Sequence, residues 1–283
     1  MAKFAENNVI KINSLGLMFI RTIKILFLSF LLTIISCIKA NSKAETIMEN
    51  PMKIEAVKNA GLKFDTVETP SGRPVNLVFI KHGSIILDID GYYVYVDPVT
   101  MFGTDFTKLP KADMIIVTHE HHDHFDPGAI AELATDTTRL VMSKRVTELL
   151  GRGTAVDPGD SVEIEPVDFS ITAVPAYNIS PGHTQFHPRD RKDIGVVFDI
   201  DGLRIYVAGD TENIPEMADL KDIDIAFIPV NQPYTMTPEQ AIDAVEMIKP
   251  KIVYPYHYGE TDLTPVVEKF HGSAVDVRVR ELQ

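Results

Sequence analysis

The 283-residue chain has a single cysteine, Cys37. No intrachain disulfide can form, and a multi-cysteine zinc site is excluded, so any bound metal must be held by histidines and carboxylates. Basic residues are scarce. The 27 Lys and Arg stand against 40 Asp and Glu, a formal net charge of -13. Binding nucleic acid takes Lys/Arg clusters, and docking on anionic lipid takes a basic face, so this balance argues against both as main roles. The densest basic run, RDRK at Arg189–Lys192, is interrupted by Asp190 and reads as a solvated loop. There is no short-period repeat, and no G-x-S-x-G that would mark a serine nucleophile.

A long hydrophobic run is also missing. The apolar stretch ILFLSFLLTIISC, Ile25 to Cys37, is short for a membrane span. Preceded by Arg21 and Lys24, it suits the h-region of a signal peptide. Its end, Ile34-Ile35-Ser36-Cys37, resembles a bacterial lipobox, in which the cysteine is lipidated and becomes the first mature residue. The expectation is therefore a lipoprotein-type signal peptide over 1–36 and lipidation at Cys37. A polar tether over 37–51 then leads to one folded domain over 52–283. This implies an exported protein, lipid-anchored on the bacterial cell envelope. Seventeen residues precede Met18, more than a usual n-region, so Met18 is the expected true start.

What is present suffices for a large core, with 45% hydrophobic residues. Short apolar runs alternate with helical patterns. VNLVFI, SIILDI, YYVYVDP, DMIIVT and TRLVMS read as strands, as do SVEIEP, DFSITAVPA, IGVVFDI, LRIYVAGD, IDIAFIPV and KIVYPY. Helices are expected from Pro127 behind the N-cap Asp126, over Lys144–Leu150 closed by Gly151, over Thr237–Ile248, and from Thr264 to His271. Hairpins at the front of each half, followed by alternating strands and helices, predict an α/β domain of two sheets with helices outside.

The chemistry is concentrated in IIVTHEHHDHFDP, Ile115 to Pro127. His119, His121, Asp123 and His124 form H-x-H-x-D-H on the loop after a buried strand. Alternate His119 and His121 can face one metal, and the adjacent Asp123 and His124 another. Neutral imidazole and carboxylate suit zinc, and also manganese or iron. Asp210 in LRIYVAGD and His257 in KIVYPYHYG stand at the ends of two further strands. A carboxylate at Asp210 can bridge two metals.

The string THEHHDH, then GDT, then PYHYG resembles the metallo-β-lactamase fold superfamily of metal-dependent hydrolases. Within it, the match is similar to the branch of the L-ascorbate-6-phosphate lactonase type. HGSIILDIDGYYVYVDP, IYVAGDT and YTMTPEQA also resemble that branch, and the resemblance covers Val75 to Gly259. It implies a four-layer αββα sandwich of two mixed β-sheets flanked by helices. It further implies one or two divalent metals, with zinc ahead of manganese and iron. The reaction implied is attack of an activated water on an ester, lactone, amide or phosphodiester of a small-molecule substrate. His119 and His121 match ligands of the first metal. Asp123 and His124 match ligands of the second, with Asp123 also beside the attacking water as the catalytic residue. Asp210 matches the bridging carboxylate and His257 the last ligand of the second metal. His82 and Tyr234 match positions near the site and are expected at the substrate. Asp97 is expected either to orient a ligand imidazole or to end a strand, and His122 to point away.

One position departs from the superfamily pattern. A histidine usually follows the middle strand, but VPAYNISPGHTQFHP has Asn178 there. His187 is the expected replacement, with His183 and Asn178 as alternatives and a single-metal site as a third. The missing histidine also supports a rival of a different class, a lipid-anchored binding protein with a degenerate, non-catalytic metal site.

Overall fold

Runs rich in Val, Ile, Phe and Tyr pair into two seven-stranded mixed sheets in the computed structural model, which describes residues 54–165 and 167–282. The expected signal peptide, Cys37 and the tether lie outside the described residues. The first sheet holds β1 (Lys63–Glu68), β2 (Pro74–Lys81), β3 (Ser84–Ile89), β4 (Tyr92–Val96), β5 (Met114–Val117), β6 (Arg139–Ser143) and β7 (Thr154–Val156), side by side in chain order. The second holds β8 (Ser161–Ile164), β9 (Phe169–Ala176), β10 (Asp193–Ile200), β11 (Leu203–Val207), β12 (Ile225–Pro229), β13 (Ile252–Tyr256) and β14 (Asp276–Val277), also in chain order. Each sheet begins as an antiparallel meander of four strands and continues as parallel strands. The meanders turn tightly at Asp90-Gly91 and Asp201-Gly202. All four of these residues have positive φ, as two-residue hairpin turns of the primed types require.

The parallel strands need crossovers, and α-helices supply four of the six, namely α1 (Pro127–Leu133), α2 (Lys144–Leu150), α3 (Pro238–Ile248) and α4 (Thr264–Phe270). The β4–β5 and β11–β12 connections carry 3-10 turns at Phe106–Lys108 and Pro215–Asp219. Asp126 caps α1 by accepting from the backbone N–H of Gly128 and Ala129, and Pro127 fills the first helical position. Thr237 and Gln240 form a capping box at the start of α3. Gly151, at φ 71, ends α2.

Burial on both sheet faces separates the layers. All six residues of β3 are buried. Leu77, Leu87, Val94 and Ile116 pack in one core with Val196, Phe198, Ile205 and Phe227 of the second sheet. The ring of Phe79 meets those of Phe227 and Tyr254 across the gap, at 6.5 and 5.2 Å. On the opposite face of the first sheet, Ile86, Tyr93 and Ile115 pack against Ile130 and Leu133 of α1 and Val146 of α2. This is the four-layer αββα sandwich expected from the sequence. Strands β2, β4 and β5 of one sheet end at a common edge, as do β11 and β13 of the other, and that edge is where α/β folds place their ligands.

Candidate metal centre

The loop after β5 is anchored before it reaches the centre. Asp97, directly after β4, is buried and takes a left-handed φ of 47°. Its Oδ1 accepts from the Thr118 backbone N–H at 2.7 Å, and its Oδ2 from the Thr118 hydroxyl, also at 2.7 Å. The same Oδ2 stands 2.7 Å from His124 Nδ1. Asp97 therefore fixes the Nδ1–H tautomer of His124 and turns Nε2 towards the centre. Since the Thr118 hydroxyl donates to Asp97, it accepts from His119 Nδ1 at 2.9 Å, which likewise frees His119 Nε2. The expectation that Asp97 orients an imidazole matches this geometry.

Two groups of four donors result, each with its ligand atoms within 4.8 Å of one another. One is His119, His121, His187 and Asp210; the other is His82, Asp123, His124 and His257. Asp210 stands between them. Its Oδ2 lies 3.8 Å from His119 Nε2, 3.4 Å from His187 Nε2 and 3.3 Å from His257 Nε2. Its Oδ1 lies 3.2 Å from His124 Nε2. In a tetrahedral site with bonds of about 2.0–2.1 Å, neighbouring donors stand roughly 3.3 Å apart. The Nε2 atoms of His119, His124, His187 and His257 and the Oδ1 of Asp210 are all buried without a hydrogen-bond partner. Buried polar atoms are seldom left so. Cations in the two groups would satisfy all five between them, so the residues fit bound metal.

The charges agree with this. Burial alone would raise the Asp210 carboxyl, but His124 and His257 outweigh it and hold Asp210 well below the usual carboxylate range. Asp123 is likewise held far below that range, with His257 and His82 overcoming its burial. Burial pushes His119 well below the usual imidazole value. It also takes His121 down to about 4, aided by the charges of His187 and Arg191. His124 and His257 move the other way. Burial opposes their protonation, but Asp210 raises both, with Asp97 adding to the effect on His124; His257 reaches about 9.

Of the three candidates for the missing position, His187 joins the first group. It is 1% exposed, and its Nδ1 lies 3.2 Å from Asp193 Oδ2. His183 instead turns to Glu212, with Nδ1 3.2 Å from Oε1. Glu212 also accepts from the backbone of Ile179 and Ser180 and so holds that loop. Asn178 donates to the carbonyls of Tyr234, at 2.8 Å, and His183, at 3.3 Å. The first group thus contains three imidazoles, which removes the main ground for reading the site as degenerate. His122 is exposed, as expected. Tyr234 is 47% exposed, and its ring packs edge-on against Phe186 beside His187.

His82, expected at the substrate, lies among the second group of donors, where a left-handed turn after β2 brings its ring onto that of His257. One expectation needs correction. RDRK was read as a solvated loop, and Arg191 departs from that. Its guanidinium pairs with buried Asp193 through Nε at 2.8 and 2.9 Å and through Nη2. It also reaches His187 Nδ1 at 2.9 Å and His121 Nε2 at 3.0 Å. The 3-10 turn at Arg189–Arg191 brings it inward, while Arg189 and Lys192 remain outside on Glu216 and Asp157. The only signal in the sequence was Asp193, an acid two residues on at the head of an apolar run.

The profile of the beta-lactamase superfamily domain matches residues 76–257. A UPF0173 metal-dependent hydrolase from Geobacillus sp. strain WCH70 is 32% identical over 199 residues, covering 65% of this chain and 85% of the relative. A solved structure from Parabacteroides distasonis ATCC 8503, proposed to be a metal-dependent hydrolase, is 48% identical with a TM-score of 0.75. It covers 78% of this chain and all of its own. Igni18, a metallo hydrolase from Ignicoccus hospitalis, shares the fold at 24% identity and a TM-score of 0.61, covering 73% of this chain and 95% of its own.

Proposed function

The chain belongs to the beta-lactamase superfamily, among its metal-dependent hydrolases, and from that premise we propose that it cleaves an ester, lactone, amide or phosphodiester bond in a small molecule. The observation that carries this reading is the pair of four-donor groups that meet at Asp210. Imidazole and carboxylate donors at near-tetrahedral spacing favour zinc, with manganese and iron as the alternatives. A bound divalent metal lowers the pKa of a coordinated water from about 15.7 to near 7 and draws charge from the bond under attack.

The chain's own residues then have distinct parts. His119, His121, His187 and Asp210 hold the first metal, and Asp123, His124 and His257 the second, with Asp210 between. Asp123 is the catalytic carboxylate. Its side chain is 22% exposed, against 2% for Asp210, so it is open to solvent and can accept a hydrogen bond from the attacking water. Tyr234 and Phe186 offer an aromatic wall to the substrate. The reading is tested by measuring metals per chain and turnover on lactones, phosphodiesters and β-lactams, with and without chelator. Two metals with chelator-sensitive turnover support it, and no tightly held metal with no turnover overturns it.

The proposed location is the bacterial cell envelope, through lipidation at Cys37. It is supported by the sequence from Arg21 to Cys37 alone, with a tether over 37–51 and the hydrolase domain over 52–283. Among the described residues no helix is long and apolar enough to cross a membrane. Cys37→Ser should move the protein from the membrane fraction to the soluble fraction. An unchanged distribution would end the anchor proposal.

A further inference from the structure

We propose that His82 is itself a ligand of the second metal, giving that site four protein donors, His82, Asp123, His124 and His257, before Asp210 is counted. The proposal rests on the metal-dependent reading above. It goes beyond the superfamily resemblance, which supplies Asp123, His124 and His257 but leaves His82 near the substrate.

Asp123 Oδ2 lies 3.2 Å from His82 Nε2, 3.5 Å from His257 Nε2 and 4.0 Å from His124 Nε2. Donors around one tetrahedral zinc stand roughly 3.3 Å apart, so His82 fits that spacing as well as either histidine the resemblance assigns. The backbone is also bent to put His82 there. His82 has a φ of 53°, a left-handed conformation that a Cβ disfavours and that a plain turn gives to glycine. The next residue, Gly83, has no room for a side chain, since a Cβ there would stand 2.7 Å from Cε1 of His124. The turn thus lets two imidazoles of one group approach side by side. The ring, once there, has little freedom to leave. It sits between Phe102, with centroids 4.5 Å apart, and His257, at 3.7 Å, and it is 8% exposed. Its carbonyl accepts from the His257 backbone N–H at 3.1 Å, which ties the β2–β3 turn to the end of β13.

The competing role is that of a positioning residue, in which His82 only hydrogen-bonds Asp123. His82→Gln separates the two. The glutamine amide can still donate to Asp123 but offers no imidazole to a metal. Cobalt(II) binding to the full chain is followed by equilibrium dialysis and by the d–d absorption of the bound ion. The unsubstituted protein should take two cobalt ions. If His82 is a ligand, H82Q should bind one of them at least about 100-fold more weakly and lose its share of the d–d intensity. Two ions bound by H82Q with affinities within about threefold of the unsubstituted protein would overturn the proposal. Should H82Q fail to fold, a crystal structure of the unsubstituted protein loaded with cobalt decides the matter. A metal–Nε2 distance of about 2.0–2.2 Å supports ligation, and one beyond about 3 Å overturns it. No cobalt bound by the unsubstituted protein would overturn the metal-dependent reading together with this proposal. Two ions with His82 outside their coordination would sink the His82 assignment alone.

Discussion

Asp97 shows how one carboxylate can decide what an imidazole is able to do. It takes His124 Nδ1 at 2.7 Å and leaves Nε2, buried and unpartnered, for the centre. Asp97→Asn is predicted to weaken binding of one metal by about 10–100-fold, read by chelator competition. Unchanged affinity would mean that packing alone holds the ring. A second prediction concerns the chelator-treated protein. His257 is raised to about 9, with Asp210 overcoming burial, so its contribution to stability is fully present below the unfolded value of about 6.5 and fades as pH rises through about 9. His121, lowered to about 4 by burial and by the charges of His187 and Arg191, acts in the opposite sense and costs stability as pH falls from about 6.5 towards 4. The unfolding midpoint of the metal-free protein should therefore peak near about pH 6.5 and fall on both sides. A midpoint flat from pH 5 to about 9 would refute this sign assignment. At this scale the strand-end residues were legible because ligands follow an apolar run and keep a fixed spacing. Arg191 was not, and His82 was legible only as a residue near the site, because a short 3-10 turn and a left-handed turn swing them inward, and neither leaves a periodic trace.

Among the elements, the tightest constraint lies between β10 and the loop that carries Asp210. Gly209 has a φ of 65°, and a Cβ there would stand 2.6 Å from the Ile194 carbonyl oxygen. A Cβ on Gly195, facing it, would stand 2.6 Å from the Ala208 carbonyl oxygen. Neither contact is with a side chain that can step aside. Gly209→Ala is predicted to cost about 2–4 kcal/mol, against about 1 kcal/mol for Gly103→Ala, whose φ is also positive but whose Cβ would meet nothing within 4 Å. Thermal melts of the two variants measure the difference, and equal losses would show that close approach is not what demands a glycine at 209. The same physical view explains which elements the sequence revealed. β5 and β12 are buried along their whole length and read as unbroken apolar runs. The strands that went unread, β1, β7 and β14, are all sheet edges. They are short or half-exposed, with KFDTVE, TAV and DV too polar or too brief to show a period. Helices α1 and α3 were legible through their caps, which are local interactions written in adjacent residues.

Over the whole molecule, each donor group draws on both sheets. His82, Asp123 and His124 follow strands of the first sheet, and His257 follows β13 of the second. His119 and His121 follow β5 of the first sheet, while His187 precedes β10 and Asp210 follows β11 of the second. A metal in either group thus fastens one sheet to the other at the edge where the core between them ends. Without it, several imidazoles and a carboxylate oxygen lie buried with no partner, a cost that opposes closing that edge. The metal-free and metal-loaded proteins should therefore differ in global stability and not merely in the order of a loop. At free metal one hundred times the dissociation constant, one site adds about 2.7 kcal/mol. For a folded part of this size that is roughly 5–11 °C in the unfolding midpoint, and more with both sites filled. Calorimetry across a series of free zinc concentrations should show a single transition that climbs with zinc and returns on chelation. A midpoint that stays fixed while measured zinc falls from two per chain to none would mean that the sheets hold their edge without the metal. The two groups would then be sites carried by a finished fold, and not part of what closes it.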